Sequence, residues 1–284
     1  MFFKNSIIIR IKKYYLKYGF LSLIKQIILT LLSIIGYKII KSNYNKNFKK
    51  IERDIFLNRS LAYSDKGYWY VNPMPSKDEL NKYYNTAYWQ MRGNKNYVAS
   101  ERDFLHWHLI NDIIGSFFNT MKTILNFGAG HGGISNIFWS HGYKVINVDP
   151  SHIPKSYNER WSNYTNLSEI ENRSIDFLYG SHSLEHVSNL QNFLAGVKKV
   201  LKKESFIFWE VPNGDHISNG PLENRIHVPH TYYFKQEFFN KEFDHTLLNG
   251  SFDDSYSSGI ISNWKKCENK KGKLIRVIGK YNIN

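Results

Sequence analysis

Cysteine is almost missing from this chain. Cys267 stands alone, which excludes an internal disulfide and a cysteine-rich zinc site and fits a reducing compartment. A lone thiol of this kind reads as inert packing or surface. Carboxylates are missing from the first 50 residues, where 11 Lys or Arg occur, and Glu52 is the first acid. After residue 50 the chain holds 27 basic against 24 acidic side chains, so most of the net charge of +14 belongs to the amino-terminal segment. Internal repeats and long low-complexity segments are absent as well.

A long uncharged run is also lacking. Residues 26–37 carry no charge, a stretch short of the about 20 residues that a spanning helix needs. The segment is nonetheless apolar. On a helical wheel Ser22, Gln26, Thr30, Ser33 and Tyr37 form one stripe, with Phe20, Ile24, Ile27, Ile28, Leu31, Ile35 and Ile39 away from it. Arg10, Lys12, Lys13, Lys17, Lys41, Lys46, Lys49 and Lys50 flank it. Each contributes on the order of 1 kcal/mol near an anionic head-group surface. The pattern predicts an interfacial helix against an anionic membrane surface at the cytoplasmic face. A tilted span with Lys25 and Lys38 snorkelling, or a helical hairpin packed on a domain or partner, remain open. No small-residue cleavage site follows the apolar run, which argues against a signal peptide. Lysines interleaved with Tyr14, Tyr15 and Tyr18 also suit nucleic acid. The high Ile and Leu density and the near-neutral remainder argue against that partner.

Glycine-poor strand letters meet a cluster of glycines at residues 123–133, Thr-Ile-Leu-Asn-Phe-Gly-Ala-Gly-His-Gly-Gly. A second apolar run over residues 143–148 ends at Asp149. Glycine lets backbone approach a ligand or take a positive φ. An acid about 20 residues on is placed to accept both ribose hydroxyls. A nucleoside-bearing cofactor at the carboxyl ends of parallel strands is predicted, although the glycine spacing alone also suits a nicotinamide dinucleotide.

Residues 175–187, Ile-Asp-Phe-Leu-Tyr-Gly-Ser-His-Ser-Leu-Glu-His-Val, read as a buried strand breaking into a polar turn and then a helix. Another strand, residues 205–211, ends in Pro212 and Asn213. In order and spacing these segments resemble the class I S-adenosylmethionine-dependent methyltransferases, in particular the type 11 and type 23 families, over roughly residues 70–280. The resemblance implies an α/β fold: a Rossmann-like, mostly parallel seven-stranded sheet with helices on both faces, here with a basic amphipathic amino-terminal extension. It implies S-adenosyl-L-methionine as cofactor, bound by Asn126, Phe127, Gly128, Ala129, Gly130, Gly132, Asp149, Pro150, Ser181 and His182.

Three departures stand out. Asn126 replaces the usual acid of the first strand. Lys202, Lys203, Glu204 and Ser205 replace a glycine turn. No clear acid follows the weak third strand near residues 164–166, where an adenine contact is common and Leu167, Ser168 or Glu169 can substitute through backbone and side-chain groups.

The remaining segments complete a division into a helical tail over 1–57, a cap over 58–97 and a methyltransferase domain over 98–284. In the cap, residues 67–76 read as a strand and turn because two prolines forbid a helix. Ser76 and Glu79 form a capping-box pattern before a helix with Leu80, Tyr83 and Tyr84. Tyr84, Tyr88 and Trp89 either pack this cap on the core or line the cleft. An amphipathic helix over residues 97–121 is expected to cover the sheet with Phe104, Trp107, Leu109, Ile113 and Phe117. Residues 213–229 form a long loop holding His216 and His227, followed by His230; such loops are usually functional. His227 and His230 have metal-ligand spacing, but no carboxylate cluster lies beside them in sequence, so a structural or substrate-binding pair is expected and no metal site. Residues 247–262 and 273–278 read as final antiparallel strands.

Methyl transfer needs acceptor, carbon and sulfur held in line. A hydroxyl acceptor also needs a base, and histidine, with its pKa of about 6.5, suits that task. His186 is the first candidate, with His227 and His230 as alternatives, while Glu185 is expected to brace the turn. The resemblance and the tail together point to O-methylation of a glycan or nucleotide sugar in surface polysaccharide biosynthesis. A lipid-like or quinone acceptor, or a non-catalytic cofactor-binding scaffold, are the alternatives.

Overall fold

The computed structural model describes residues 50–84, 99–150, 160–216, 229–252 and 272–281. The expected tail helix, Tyr88, Trp89 and His227 lie outside them. Contacts divide the chain into Met1–Ile51 and Glu52–Asn284. Among the described residues no helix is long and apolar enough to cross a membrane.

The strands in chain order are β1 (Ser60–Ser64), β2 (Tyr68–Asn72), β3 (Thr123–Phe127), β4 (Lys144–Val148) and β5 (Trp161–Tyr164). They continue with β6 (Ile175–Ser181), β7 (Leu201–Pro212), β8 (Tyr232–Phe234), β9 (Phe243–Phe252) and β10 (Leu274–Tyr281). The helices are α1 (Lys77–Tyr83), α2 (Glu101–Phe118), α3 (Gly133–Ser140), α4 (Leu190–Val200) and α5 (Gln236–Glu242).

Seven strands form one sheet in the order β5-β4-β3-β6-β7-β10-β9. β5, β4, β3, β6 and β7 are parallel, and β10 runs antiparallel between β7 and β9. Side chains alternate across the strands as period 2 requires. Leu125, Ile207, Trp209 and Val211 join one core with α4 and α5, while Ile124, Phe206 and Phe208 join the other with α2 and α3. Fully burying each such side chain contributes about 1.5–3 kcal/mol. This is the mostly parallel sheet covered on both faces that the sequence predicts.

Two local expectations need correcting. Helix α2 starts at Glu101, where Ser100 and Asp103 close a capping box, and its buried face is His106, Trp107, Ile110, Ile114 and Phe118. Phe104 and Phe117 are exposed instead. Ile114 has non-helical φ/ψ, so one regular wheel does not describe the whole helix. The segment 202–205 is not a turn ahead of β7 but an irregularity within it, since Ile175 pairs Leu201 whereas Phe177 already pairs Phe206. Ser205 Oγ donates to the Ile175 carbonyl at 2.6 Å and Lys202 Nζ to Asp176 Oδ1 at 2.6 Å, tying the irregularity down.

A three-stranded sheet, β1-β2-β8, was not legible in the sequence. The Ser76–Glu79 capping box is formed, and α1 buries Leu80 and Tyr83. β2 pairs β8, and Val71 N donates to the Thr231 carbonyl at 3.0 Å. The cap strands are thus hydrogen-bonded to the segment that carries His230.

Candidate active site

The two motif strands β3 and β6 are neighbours in the middle of the sheet. From β3 the strands run outward through β4 and β5, and from β6 outward through β7 in the other direction. Such a switch in direction opens a crevice at the carboxyl ends of the strands, where ligands bind in open α/β sheets. Both the glycine loop and the turn 181–186 emerge there.

The glycine loop is anchored from below. Gly128 N donates to the Val148 carbonyl at 2.8 Å and Gly130 N to Asp149 Oδ2 at 2.8 Å. Gly128 has φ +71° and Gly130 φ +52°, values that carry a steric cost for a residue with a Cβ. A Cβ on Gly128 would also collide with the Cβ of Ser183. The turn that carries the histidines is therefore packed directly on the glycine loop. Asp149 is buried at the end of β4, beside the loop as a ribose-binding acid must be. These features fit a nucleoside cofactor.

The other expected contact residues divide into two groups. Gly132 is the left-handed residue before α3, and the Ala129 carbonyl accepts from its N–H at 2.8 Å. Pro150 is exposed beside Asp149. Phe127, by contrast, packs on Phe193 with ring centroids 4.5 Å apart. Asn126 is buried and directed at α3, where Nδ2 donates to Ser135 Oγ at 2.8 Å. Ser135 Oγ donates on to Asn147 Oδ1 at 2.7 Å, and Asn147 Nδ2 to Asn163 Oδ1 at 3.2 Å. Asn126, Asn147 and Asn163 are register partners across three parallel strands. The substitution of an amide for the usual acid thus belongs to an uncharged polar ladder beneath the site. Glu169, considered for the adenine contact, directs Oε1 to its own turn and accepts from Thr165 N at 3.0 Å and Asn166 N at 2.7 Å. Leu167 is buried in the core.

After β6 the backbone turns at His182, which has φ +49°. This is uncommon outside glycine, and such residues concentrate at functional sites. The single turn Leu184–His186 follows. Glu185 is 1% exposed, and Oε1 lies 3.3 Å from His182 Nδ1, 3.8 Å from His186 Nε2 and 3.9 Å from His230 Nε2. The His186 and His230 rings stand 4.9 Å apart at 73°. Tyr84 faces His186 edge-on at 6.3 Å, so the cap reaches the site. Folding brings one carboxylate, Glu185, remote in sequence, next to His230. His227 lies outside the described residues.

Beneath this turn sits a residue that the sequence reading did not single out. Glu210 of β7 is fully buried and accepts from Arg276 Nε at 2.6 Å, His106 Nε2 at 2.9 Å and Ser181 Oγ at 3.0 Å. The Tyr179 hydroxyl lies 2.6 Å from His106 Nδ1, on the side of the ring opposite Glu210. Burial lowers the His106 pKa despite Glu210. Burial raises the Glu210 pKa, but His106, Arg276 and His182 outweigh it and hold the carboxyl well below its usual range. His182 Nε2 lies 3.5 Å from Glu210 Oε1. Burial pulls the His182 pKa down, yet hydrogen bonding and charge from Glu185 and the charge of Glu210 raise it overall. The expected site residues Ser181 and His182 are therefore held from below by Glu210. A charged letter in each of two apolar strands, Glu210 and Arg276, was the available signal.

The model of the methyltransferase domain family matches residues 95–248 of this chain. A probable S-adenosylmethionine-dependent methyltransferase of Saccharomyces cerevisiae is 24% identical over 183 residues, covering 59% of this chain. The match spans 58% of that relative's length. Among solved structures, the Burkholderia thailandensis 1,6-didemethyltoxoflavin-N1-methyltransferase, with 1,6-didemethyltoxoflavin and S-adenosylhomocysteine bound, is 15% identical with a TM-score of 0.49. That similarity covers 78% of this chain and 99% of the other. A methyltransferase from Aquifex aeolicus is 12% identical with a TM-score of 0.37, covering 56% of this chain and 81% of the other.

Proposed function

This chain belongs to the methyltransferase-domain family of S-adenosylmethionine-dependent enzymes, and from that premise we propose that it methylates a hydroxyl oxygen of a sugar, on a nucleotide sugar or lipid-linked glycan. The carrying observation is the packing of Ser183 against Gly128. It sets the His182, Glu185, His186 and His230 group at the edge of the cofactor loop. Bound S-adenosylmethionine supplies an electrophilic methyl group on a sulfonium.

The chain's own task is to position the acceptor and to remove one proton. Asp149 and the loop amides hold the nucleoside end. His186 stands where a base is needed. Its Nδ1 is 3.3 Å from the Pro229 carbonyl, a contact that places the ring hydrogen on Nδ1 and leaves the Nε2 lone pair to take a proton. His230 is the second candidate. Such a base contributes about 10²–10⁴-fold to rate. The half-buried ring of Tyr84 and the buried ring of Tyr233 provide apolar surface beside the histidines that helps to exclude water from the reacting groups.

The tail supports a place for the acceptor. Its 11 cations without an acid suit an anionic leaflet, where lipid-linked glycans are presented. The test is transfer from methyl-labelled S-adenosylmethionine by the full chain to a panel of nucleotide sugars, lipid-linked sugars and reduced quinones, with products read by mass spectrometry. A methylated sugar hydroxyl supports the reading. Transfer to quinols alone sinks the glycan assignment.

A further inference from the structure

We propose that Glu185, His186 and His230 form a binding site for one divalent first-row transition cation, such as Zn²⁺ or Mn²⁺, at the acceptor side of the cleft. Three observations carry it. First, Oε1 of Glu185 and one ring nitrogen of each histidine all lie within 4.8 Å of one another. With bonds of about 2.1 Å, ligand atoms of one ion stand roughly 3.0–3.4 Å apart. The separations of 3.8 Å and 3.9 Å from Glu185 therefore need to close by roughly half an ångström.

Second, the Glu185 carboxylate is buried, and among the described residues its nearest nitrogen is His182 Nδ1 at 3.3 Å, with no well-aligned donor on either oxygen. A carboxylate taken out of water needs a cation or good donors. The His186 and His230 nitrogens beside it, at 3.8 Å and 3.9 Å, stand too far to donate to it and at distances suited to sharing an ion. His182 answers part of this need from the protein side, standing between Glu185 and Glu210.

Third, the ligands are oriented from behind. Metal-bound histidine usually donates its other ring N–H to a carbonyl or carboxylate, and His186 Nδ1 faces the Pro229 carbonyl at 3.3 Å. Thr231 N donates to the Glu185 carbonyl at 2.8 Å. The Thr231 hydroxyl lies 2.9 Å from that carbonyl and 2.8 Å from the Val187 carbonyl, donating to one at a time. The two segments that supply the ligands are thus joined by backbone hydrogen bonds, although 44 residues separate Glu185 from His230 in this numbering.

Two imidazoles and one carboxylate favour a borderline cation over Mg²⁺ or Ca²⁺, which prefer oxygen ligands. Three protein ligands leave positions open. This use of the site rests on the O-methylation reading and, with the ion bound, gives His186 Nε2 a ligand's role in place of the base's: the acceptor hydroxyl would occupy an open position and lose its proton to solvent more readily. Its oxygen pair then forms the O–C bond while the C–S pair returns to sulfur, leaving S-adenosylhomocysteine.

The test uses untagged full chain treated with a chelator and dialysed. Mn²⁺ binding is read from loss of the free-ion EPR signal, Zn²⁺ binding by competition with a chromophoric chelator, and S-adenosylhomocysteine binding by calorimetry in the same samples. The site predicts about one equivalent of metal per chain, weakened about 10- to 100-fold in both Glu185→Gln and His230→Ala. S-adenosylhomocysteine affinity should change little, which also reports that the variants are folded. No metal retention with intact S-adenosylhomocysteine binding overturns the metal site alone. Metal binding undiminished in both variants overturns it too, by placing the ion elsewhere. Loss of S-adenosylhomocysteine binding in the unaltered chain counts instead against the methyltransferase reading.

Discussion

Arg276 and Glu210 stand directly opposite each other on antiparallel β10 and β7, and their side chains meet at 2.6 Å with both fully buried. Removing one member of such a pair strands the other charge, at a cost of about 3–5 kcal/mol. Arg276→Met should therefore lower stability by that order, read by urea unfolding. Replacing both, as Arg276→Met with Glu210→Leu, should recover part of the loss. His106 and Ser181 then lose an acceptor, which keeps the recovery incomplete.

The same carboxylate makes stability pH-dependent. Its folded pKa lies below the unfolded value of about 4.3. It therefore contributes stability at pH above that value, and the contribution is lost as pH falls through the folded pKa. Asp176 behaves alike: burial raises its pKa, but Lys202 and the N–H groups of Thr123 and Lys122 lower it more. Thermal unfolding followed from pH 7 downward should fall steeply in acid for the unaltered chain. In Asp176→Asn the slope should be shallower. The variant should also lose ~1–2 kcal/mol at neutral pH, as expected for charge-assisted bonds to backbone N–H groups.

Gly128 offers a test of the loop-to-turn contact. Gly128→Ala brings both a left-handed φ penalty of about 1–2 kcal/mol and a collision with Ser183. Ser183→Gly removes the collision but leaves the φ cost. In a double-mutant cycle of S-adenosylhomocysteine affinity and thermal stability, the pair should be closer to the unaltered chain than Gly128→Ala alone. Strict additivity would show that the loop and turn do not touch.

His186→Ala should reduce the methyl-transfer rate by about 10²-fold or more while leaving the S-adenosylmethionine KM nearly unchanged. The acid limb of its pH–rate profile should also disappear. A lowered rate with an unchanged profile would assign His186 to holding the turn.

What the sequence disclosed follows from how local each feature is. The glycine loop, Asp149 and the turn at 181–186 each occupy a few consecutive residues, so their chemistry was legible before folding. The Ser76–Glu79 capping box was equally local. Glu185 beside His230 was not, because only the pairing of residues 229–231 with the turn brings them together. Arg276 opposite Glu210 depended on β10 inserting between β7 and β9, a topological choice with no short-range signal. The face of α2 was misread for a different reason: aromatic Phe104 and Phe117 resembled core letters, while buried His106 did not. The supporting layer beneath the site, Asn126 to Ser135 to Asn147 to Asn163, read only as a departure from the usual acid until strand register aligned its members.

The central claim is that Asp149 and the glycine loop bind the S-adenosyl group. The most direct measurement is calorimetric titration of S-adenosylhomocysteine into the full chain and into Asp149→Ala. Saturable binding near one site per chain, weakened about tenfold or more in the variant and so by at least ~1.4 kcal/mol, is the predicted result. A folded chain that takes up no S-adenosylhomocysteine, or a variant that binds it equally well, would contradict the account.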